Sequence, residues 1–190
     1  MQRRVRTLPE GGGYGDALSY EGPYVGGTWA DVVAASIRRS RARLEASESQ
    51  TIEADHVESV AADFAEYFAT VRRRPFLDDA TTKNVIVHDG RLSGIVDVDW
   101  LCFGDWLMPV GLTRASLLAA GREPDYADYW LEALNPSAEE RRAVRFYTAL
   151  SCLDFLSERH ESFNRTRPRP DDVDRWRRIR QTLDDELSSL

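Results

Sequence analysis

Asp89-Gly90, set between Asn84-Val-Ile-Val-His88 and Arg91-Leu-Ser-Gly-Ile-Val-Asp97, is the feature that most limits what this chain can fold into. An Asp-Gly pair suits the two-residue turn in which both central residues take positive φ, and the flanking runs are rich in β-branched residues. The spacing therefore predicts a tight hairpin. Almost everywhere else the apolar residues recur at helical spacing. Trp29, Val32, Val33, Ile37 and Leu44 mark a helix from Thr28, its N-cap, to about Ala46. Val57, Val60, Phe64, Tyr67 and Phe68 predict a second, from about Ala54 to Arg73, closed by Pro75. Ser137-Ala-Glu-Glu140 is a capping box that opens a long helix through Val144, Tyr147, Leu150 and Leu153. A last helix carries Trp176, Ile179, Leu183 and Leu187. The expected fold is α+β and mostly helical, with one hairpin among about six helices.

The hairpin's geometry follows from the turn. Cross-strand partners sum to 179, so His88 faces Arg91 and Asn84 faces Ile95. Asp97 then shares a face with Asn84 as its diagonal neighbour, roughly 7–8 Å away between backbones. Asp99 continues that face. Two short oxygen-bearing side chains leaning together suit a divalent cation such as magnesium. Asp97 also interrupts an apolar run, where a buried carboxylate is costly unless paired or metal-bound. Five residues before Asn84 stands Asp79, giving D-x-x-x-x-N. In kinases the aspartate of that spacing takes the substrate hydroxyl proton, the asparagine binds magnesium, and a further metal-binding aspartate follows a short hairpin.

Leu77-Asp-Asp-Ala-Thr-Thr-Lys-Asn-Val-Ile-Val87, Gly94-Ile-Val-Asp-Val-Asp-Trp100 and Gly104-Asp105 together resemble the carboxy-terminal lobe of aminoglycoside phosphotransferases and related choline kinase-like enzymes, which share the protein kinase-like fold. The resemblance implies a catalytic base at Asp79 and magnesium ligands at Asn84 and Asp97. Asp99 matches a second acidic position of the metal site, and Gly104-Asp105 matches a loop that buttresses it. It also implies ATP or GTP as co-substrate and a small-molecule hydroxyl as acceptor. Lys83, the single lysine in the chain, is the candidate to neutralise a phosphate. This sequence departs from the family's run at Leu77 and Asp78, where the family has histidine and glycine, and at Trp106, where it has proline. The expected organisation is a glycine-rich lead-in arm at 1–27 and a kinase-like lobe at 28–190, with the amino-terminal nucleotide-binding lobe absent.

Composition narrows the partners. A net charge of −7 excludes nucleic acid and anionic membrane as default partners and suits a cationic small molecule. Cys102 and Cys152 form neither a disulfide framework nor a zinc pattern, so a cytoplasmic location is expected. His56, His88 and His160 show no ligand spacing. Tyr126, Tyr129 and Trp130 are expected in the core, and Arg72-Arg-Arg74 as a solvated helix end. Loss of the amino-terminal lobe would expose apolar surface near the hairpin, for which a second copy or a partner chain is the expected cover. The rival reading is a catalytically inactive kinase-like remnant that acts as a binding or interaction module. Asp97-Val-Asp99 as the acidic pair of a glycosyltransferase or dehalogenase-like hydrolase ranks low, because both need a parallel sheet.

Overall fold

A computed structural model describes residues 5–78, 84–96, 101–161 and 172–190. Among these are seven helices: α1 (Trp29–Ala46), α2 (Ile52–Asp63), α3 (Ala65–Thr70), α4 (Met108–Ala119), α5 (Asp125–Ala133), α6 (Ala138–Ser157) and α7 (Val173–Ser188). Five short strands accompany them: β1 (Gly15–Ala17), β2 (Pro75–Phe76), β3 (Val85–His88), β4 (Arg91–Ile95) and β5 (Leu101–Phe103). No described helix is long and apolar enough to cross a membrane.

Both expected caps form. Thr28 accepts from the Asp31 N–H at 3.1 Å while the Asp31 carboxylate accepts from the Thr28 N–H at 2.8 Å. Ser137 and Glu140 repeat that exchange at the start of α6. Each cap satisfies amide donors that a helix start otherwise leaves orphaned. Helix α6 runs through the middle of the molecule and packs on α1, α2, α4 and α7. Its Phe146, Tyr147, Leu150 and Leu153 are wholly buried, which explains why its apolar positions outrun a single stripe. Helix α4 approaches it closely at Gly111, where a methyl group would lie 2.6 Å from Tyr147 Cβ.

The structure revises several expectations. The helix predicted from about Ala54 to Arg73 is two, broken at Phe64, whose φ of −94° and ψ of 9° end α2 and begin α3. The bend lets the Phe64 ring meet Phe68 and Phe146 at centroid distances of 5.9 and 5.0 Å. The glycine-rich arm is docked: β1 pairs antiparallel with β5, which pairs with β2 on its other side. Strands of two or three residues carry too little alternation to be seen in a sequence. Arg72-Arg-Arg74 is no helix end, since α3 stops at Thr70. It fastens the arm instead, with Arg72 paired to Glu10 at 2.5 Å and the Arg73 carbonyl accepting from the Gly11 N–H at 2.9 Å. Lastly, Tyr126 and Tyr129 are 40% and 76% exposed rather than in the core.

The hairpin forms with Asp89 and Gly90 both at positive φ, 48° and 70°, as its turn requires. The predicted pairing holds beside the turn, where His88 faces Arg91 and Val87 faces Leu92. Beyond it a β-bulge takes up Ser93, so Ile86 faces Gly94 and Val85 faces Ile95. Asn84 therefore stands opposite Val96, not Ile95, and its carbonyl accepts from the Val96 N–H at 3.0 Å.

Candidate active site

Two paired backbones frame the segments that carry the candidate residues. On one side Phe76 of β2 pairs with Cys102 of β5. On the other, Asn84 and Val96 close the base of the hairpin. Asn84 is buried there, 8% exposed, although the hairpin that follows it stands largely in solvent. Asp78, the last described residue after β2, is exposed. Asp79, Lys83, Asp97 and Asp99 lie outside the described residues. Among the described residues, no group of three or more His, Cys, Asp or Glu side chains gathers as a metal site.

Beside these frames lies a cavity of about 290 Å³, bounded by the arm, α1, β2 and β5. Asp16, Trp29, Arg39, Phe76, Asp78 and Cys102 are among its walls. Burial, together with Asp78 and Asp16, pushes the Cys102 thiol far up, so it stays protonated. Two carboxylates, Asp16 and Asp78, and the Arg39 guanidinium share a lining that is otherwise mostly apolar. Asp16 was not singled out by sequence, because only the pairing of β1 with β5 brings the arm to this place.

Beneath the turn that follows β5, the Asp105 carboxylate is fully buried. One oxygen accepts the Tyr67 hydroxyl at 2.6 Å and the Tyr147 hydroxyl at 2.7 Å; the other accepts the Leu107 N–H at 3.0 Å. Tyr147 in turn accepts from the Trp29 indole N–H at 2.8 Å. Desolvation raises the Asp105 pKa despite these three donors, and the same burial raises both tyrosines well above their ordinary value. One carboxylate thus ties α1, α3 and α6 to the start of α4. Gly104-Asp105, the pair matched by sequence to a buttressing loop, stands at the centre of this network. Its aromatic partners were visible in sequence only as apolar positions of three helices.

Gly104 completes the turn. Its φ is 140°, and a methyl group there would meet the Trp29 ring at 2.2 Å. His88 is exposed beside the turn. A larger cavity, about 710 Å³, opens between the carboxy-terminal ends of α1 and α6, where His160 lines it with Arg39, Arg43 and Glu161. Asn84, the one described candidate, does not border it.

No protein-family model matches the chain, and no curated protein matches its sequence. Solved structures do. A thermostable variant of aminoglycoside phosphotransferase APH(4)-Ia, in ternary complex with AMP-PNP and hygromycin B, superposes with a TM-score of 0.67 at 16% identity, covering 98% of this chain and 61% of that one. A second variant of that enzyme, with ADP and hygromycin B, gives a TM-score of 0.68 over the same shares. A protein of Thermobifida fusca assigned as a fructosamine-3-kinase gives 0.50 at 16% identity, covering 90% of this chain and 60% of that one. The chain spans about three-fifths of the length of these structures. It has an α+β fold that matches part of the kinase-like fold of small-molecule phosphotransferases.

Proposed function

We propose that the chain is the catalytic-loop lobe of a small-molecule kinase, transferring the γ-phosphoryl group of ATP or GTP to a hydroxyl. The observation that carries this reading is the likeness to APH(4)-Ia over 98% of the chain, combined with the D-x-x-x-x-N spacing of Asp79 and Asn84. Asp79 orients the acceptor hydroxyl and takes its proton as the oxygen attacks phosphorus. Asn84, Asp97 and Asp99 would hold magnesium, an all-oxygen set that fits a hard cation, and Asn84 is already fixed in the base of the hairpin. Magnesium, when bound, neutralises charge on the phosphate oxygens. The bulge at Ser93 puts Asn84 opposite Val96, so the regular alternation that set Asn84 and Asp97 on one face no longer applies, and joint binding of one ion would need the chain to leave that alternation after Val96. Lys83 lends a positive charge near the phosphates. The acceptor is a cationic small molecule seated between Asp16 and Asp78; APH(4)-Ia was solved with hygromycin B, a small molecule. Free, buried cysteines at 102 and 152 fit a cytoplasmic setting.

A second reading is favoured by the hairpin's surface. Ile86, Val87, Leu92 and Val96 are between 46% and 61% exposed. The neighbours have further chain beyond the part this one matches. An inactive relative would use that apolar surface to bind a second copy or another chain.

Calorimetric titration of the chain with magnesium and ATP or GTP separates the two. Magnesium-dependent binding lost in Asp97→Ala, followed by phosphorylation of an acceptor that is lost in Asp79→Asn, is the result expected of the kinase. A folded chain that binds no nucleotide refutes it and leaves the binding module.

A further inference from the structure

We infer that a second pocket, remote in chemistry from the proposed phosphotransfer residues, binds a small phosphate-bearing anion. It has a volume of about 240 Å³ and lies between the start of the arm, the α3–β2 connection and the turn after β5. Arg6, Arg72 and Arg74 all line it, together with Trp106, Glu140 and Asp105. Three arginines lining one pocket stand out in a chain whose net charge is −7.

The acidic groups present are already engaged. Asp105 has both oxygens occupied by Tyr67, Tyr147 and the Leu107 N–H, and burial shifts it toward its neutral form. Glu140 is held in the α6 capping box by the Ser137 N–H. Glu10 pairs with Arg72. Arg74 is half-buried and makes no ion pair among the described residues. A guanidinium withdrawn from water without an anionic partner is costly, and the cost is relieved when an oxyanion enters. The Arg6 guanidinium carbon sits over the Trp106 ring, 3.7 Å from its centroid, which fixes one wall before any ligand arrives.

Arginine suits this task because its planar fork meets phosphate oxygens two at a time. The volume accommodates a phosphate group and a few waters, at roughly 30 Å³ per water, but not a whole nucleotide. The anion is therefore inorganic phosphate or a short phosphomonoester. Seated there, it joins the arm to the turn above Asp105, and so stiffens the network beneath the site.

The test is calorimetric titration of the full chain with inorganic phosphate, and separately with glycerol phosphate, at constant ionic strength. Saturable one-to-one binding is expected, weakened about tenfold or more in Arg74→Gln, which corresponds to losing about 1.4 kcal/mol. Tighter binding of glycerol phosphate assigns the pocket to a phosphomonoester; equal or weaker binding assigns it to free phosphate. Arg72→Gln, at a side chain 63% exposed, gives the same reading if Arg74→Gln does not fold. Asp97→Ala separates this pocket from the proposed nucleotide site, and phosphate binding should survive it. The inference is overturned if folded wild-type chain binds no phosphate, if both arginine variants bind as tightly as wild type, or if Asp97→Ala alone abolishes binding.

Discussion

Replacing Asp105 by alanine should be among the most damaging single changes available to this fold. The carboxylate, buried beneath the turn, takes three hydrogen bonds: two tyrosine hydroxyls at 2.6 and 2.7 Å and one amide at 3.0 Å. Alanine leaves all three donors buried without their acceptor. Each such donor costs about 1–3 kcal/mol, so three give a ceiling near 9. Reorientation of the hydroxyls and entry of water into the vacated space bring the expectation to about 3–5 kcal/mol. That is a large share of the 5–15 kcal/mol typical of a whole domain. Tyr67→Phe should cost only about 1 kcal/mol, because Asp105 keeps its other two bonds. Tyr147→Phe should cost about 2 kcal/mol, since the Trp29 indole N–H also loses its acceptor. Urea unfolding followed by tryptophan fluorescence and circular dichroism gives all three differences. A loss below about 1 kcal/mol for Asp105→Ala would mean that the network is incidental, and the account of how the turn is held would be wrong.

Other variants probe separate elements. Gly104→Ala places a methyl group 2.2 Å from the Trp29 ring at a φ of 140°, so it should lower stability by about 2–4 kcal/mol; a thermal midpoint unchanged from wild type would refute that strain. Ser137→Ala removes the hydroxyl that caps α6 and should cost about 1 kcal/mol, with Ser137→Thr close to neutral in the same denaturation assay. Glu158 gives a pH signature. Burial and the nearby Asp154 push its carboxyl up to about 7 from 4.5, against the pull of Arg43. The fold favours the protonated acid, so the stability this group contributes is complete below pH 4.5 and is lost as pH rises toward 7. Glu158→Gln stays neutral, and relative to wild type it should gain about 1–2 kcal/mol between pH 4.5 and 8, after allowance for partial exposure. Parallel pH–stability curves for the two proteins would rule this out.

What could be read from the sequence divides along the range of the interactions. Thr28, Ser137 and Asp89-Gly90 act on backbone within four residues of themselves, and all three formed as written. The break at Phe64 could not be read that way. Val57, Val60, Phe64 and Phe68 keep one helical period across it, and the bend is decided by a ring packing on Phe146, far along the chain. Sheet β1–β5–β2 was hidden for the same reason. Its strands are two or three residues long and gain their pairing only once α1 and the arm bring three distant segments together. Tyr129 shows the converse error: helical spacing marks a face, but nothing in the spacing says that another element covers it.

The candidate site was legible to a different depth. Residue spacing pointed to Asp79, Asn84 and Asp97, and the likeness to phosphotransferase structures supports the fold in which such spacing has meaning. The register did not follow from spacing, because the two-residue turn is obeyed only as far as Val87 and Leu92. A bulge at Ser93, beside Gly94, then shifts every later pair by one residue. Gly94 removes the side chain that would stiffen an ordinary ladder there, and nothing lies within 4 Å of the space its Cβ would fill. The shift changes the chemistry open to the hairpin. Under the unbulged register Asn84 would stand opposite Ile95 and share a face with Asp97; with the bulge it stands opposite Val96, and the alternation that predicted the shared face no longer holds. Deleting Ser93 should remove the bulge while leaving both the turn and the pairing of Asn84 with Val96 intact. If the base of the hairpin is what positions Asn84, magnesium-dependent nucleotide binding should survive that deletion, since the bulge lies in a part of the hairpin that stands largely in solvent. Binding lost from a folded deletion variant would mean that the bulge itself shapes the site, and the pairing of Asn84 with Val96 would not be enough to explain it.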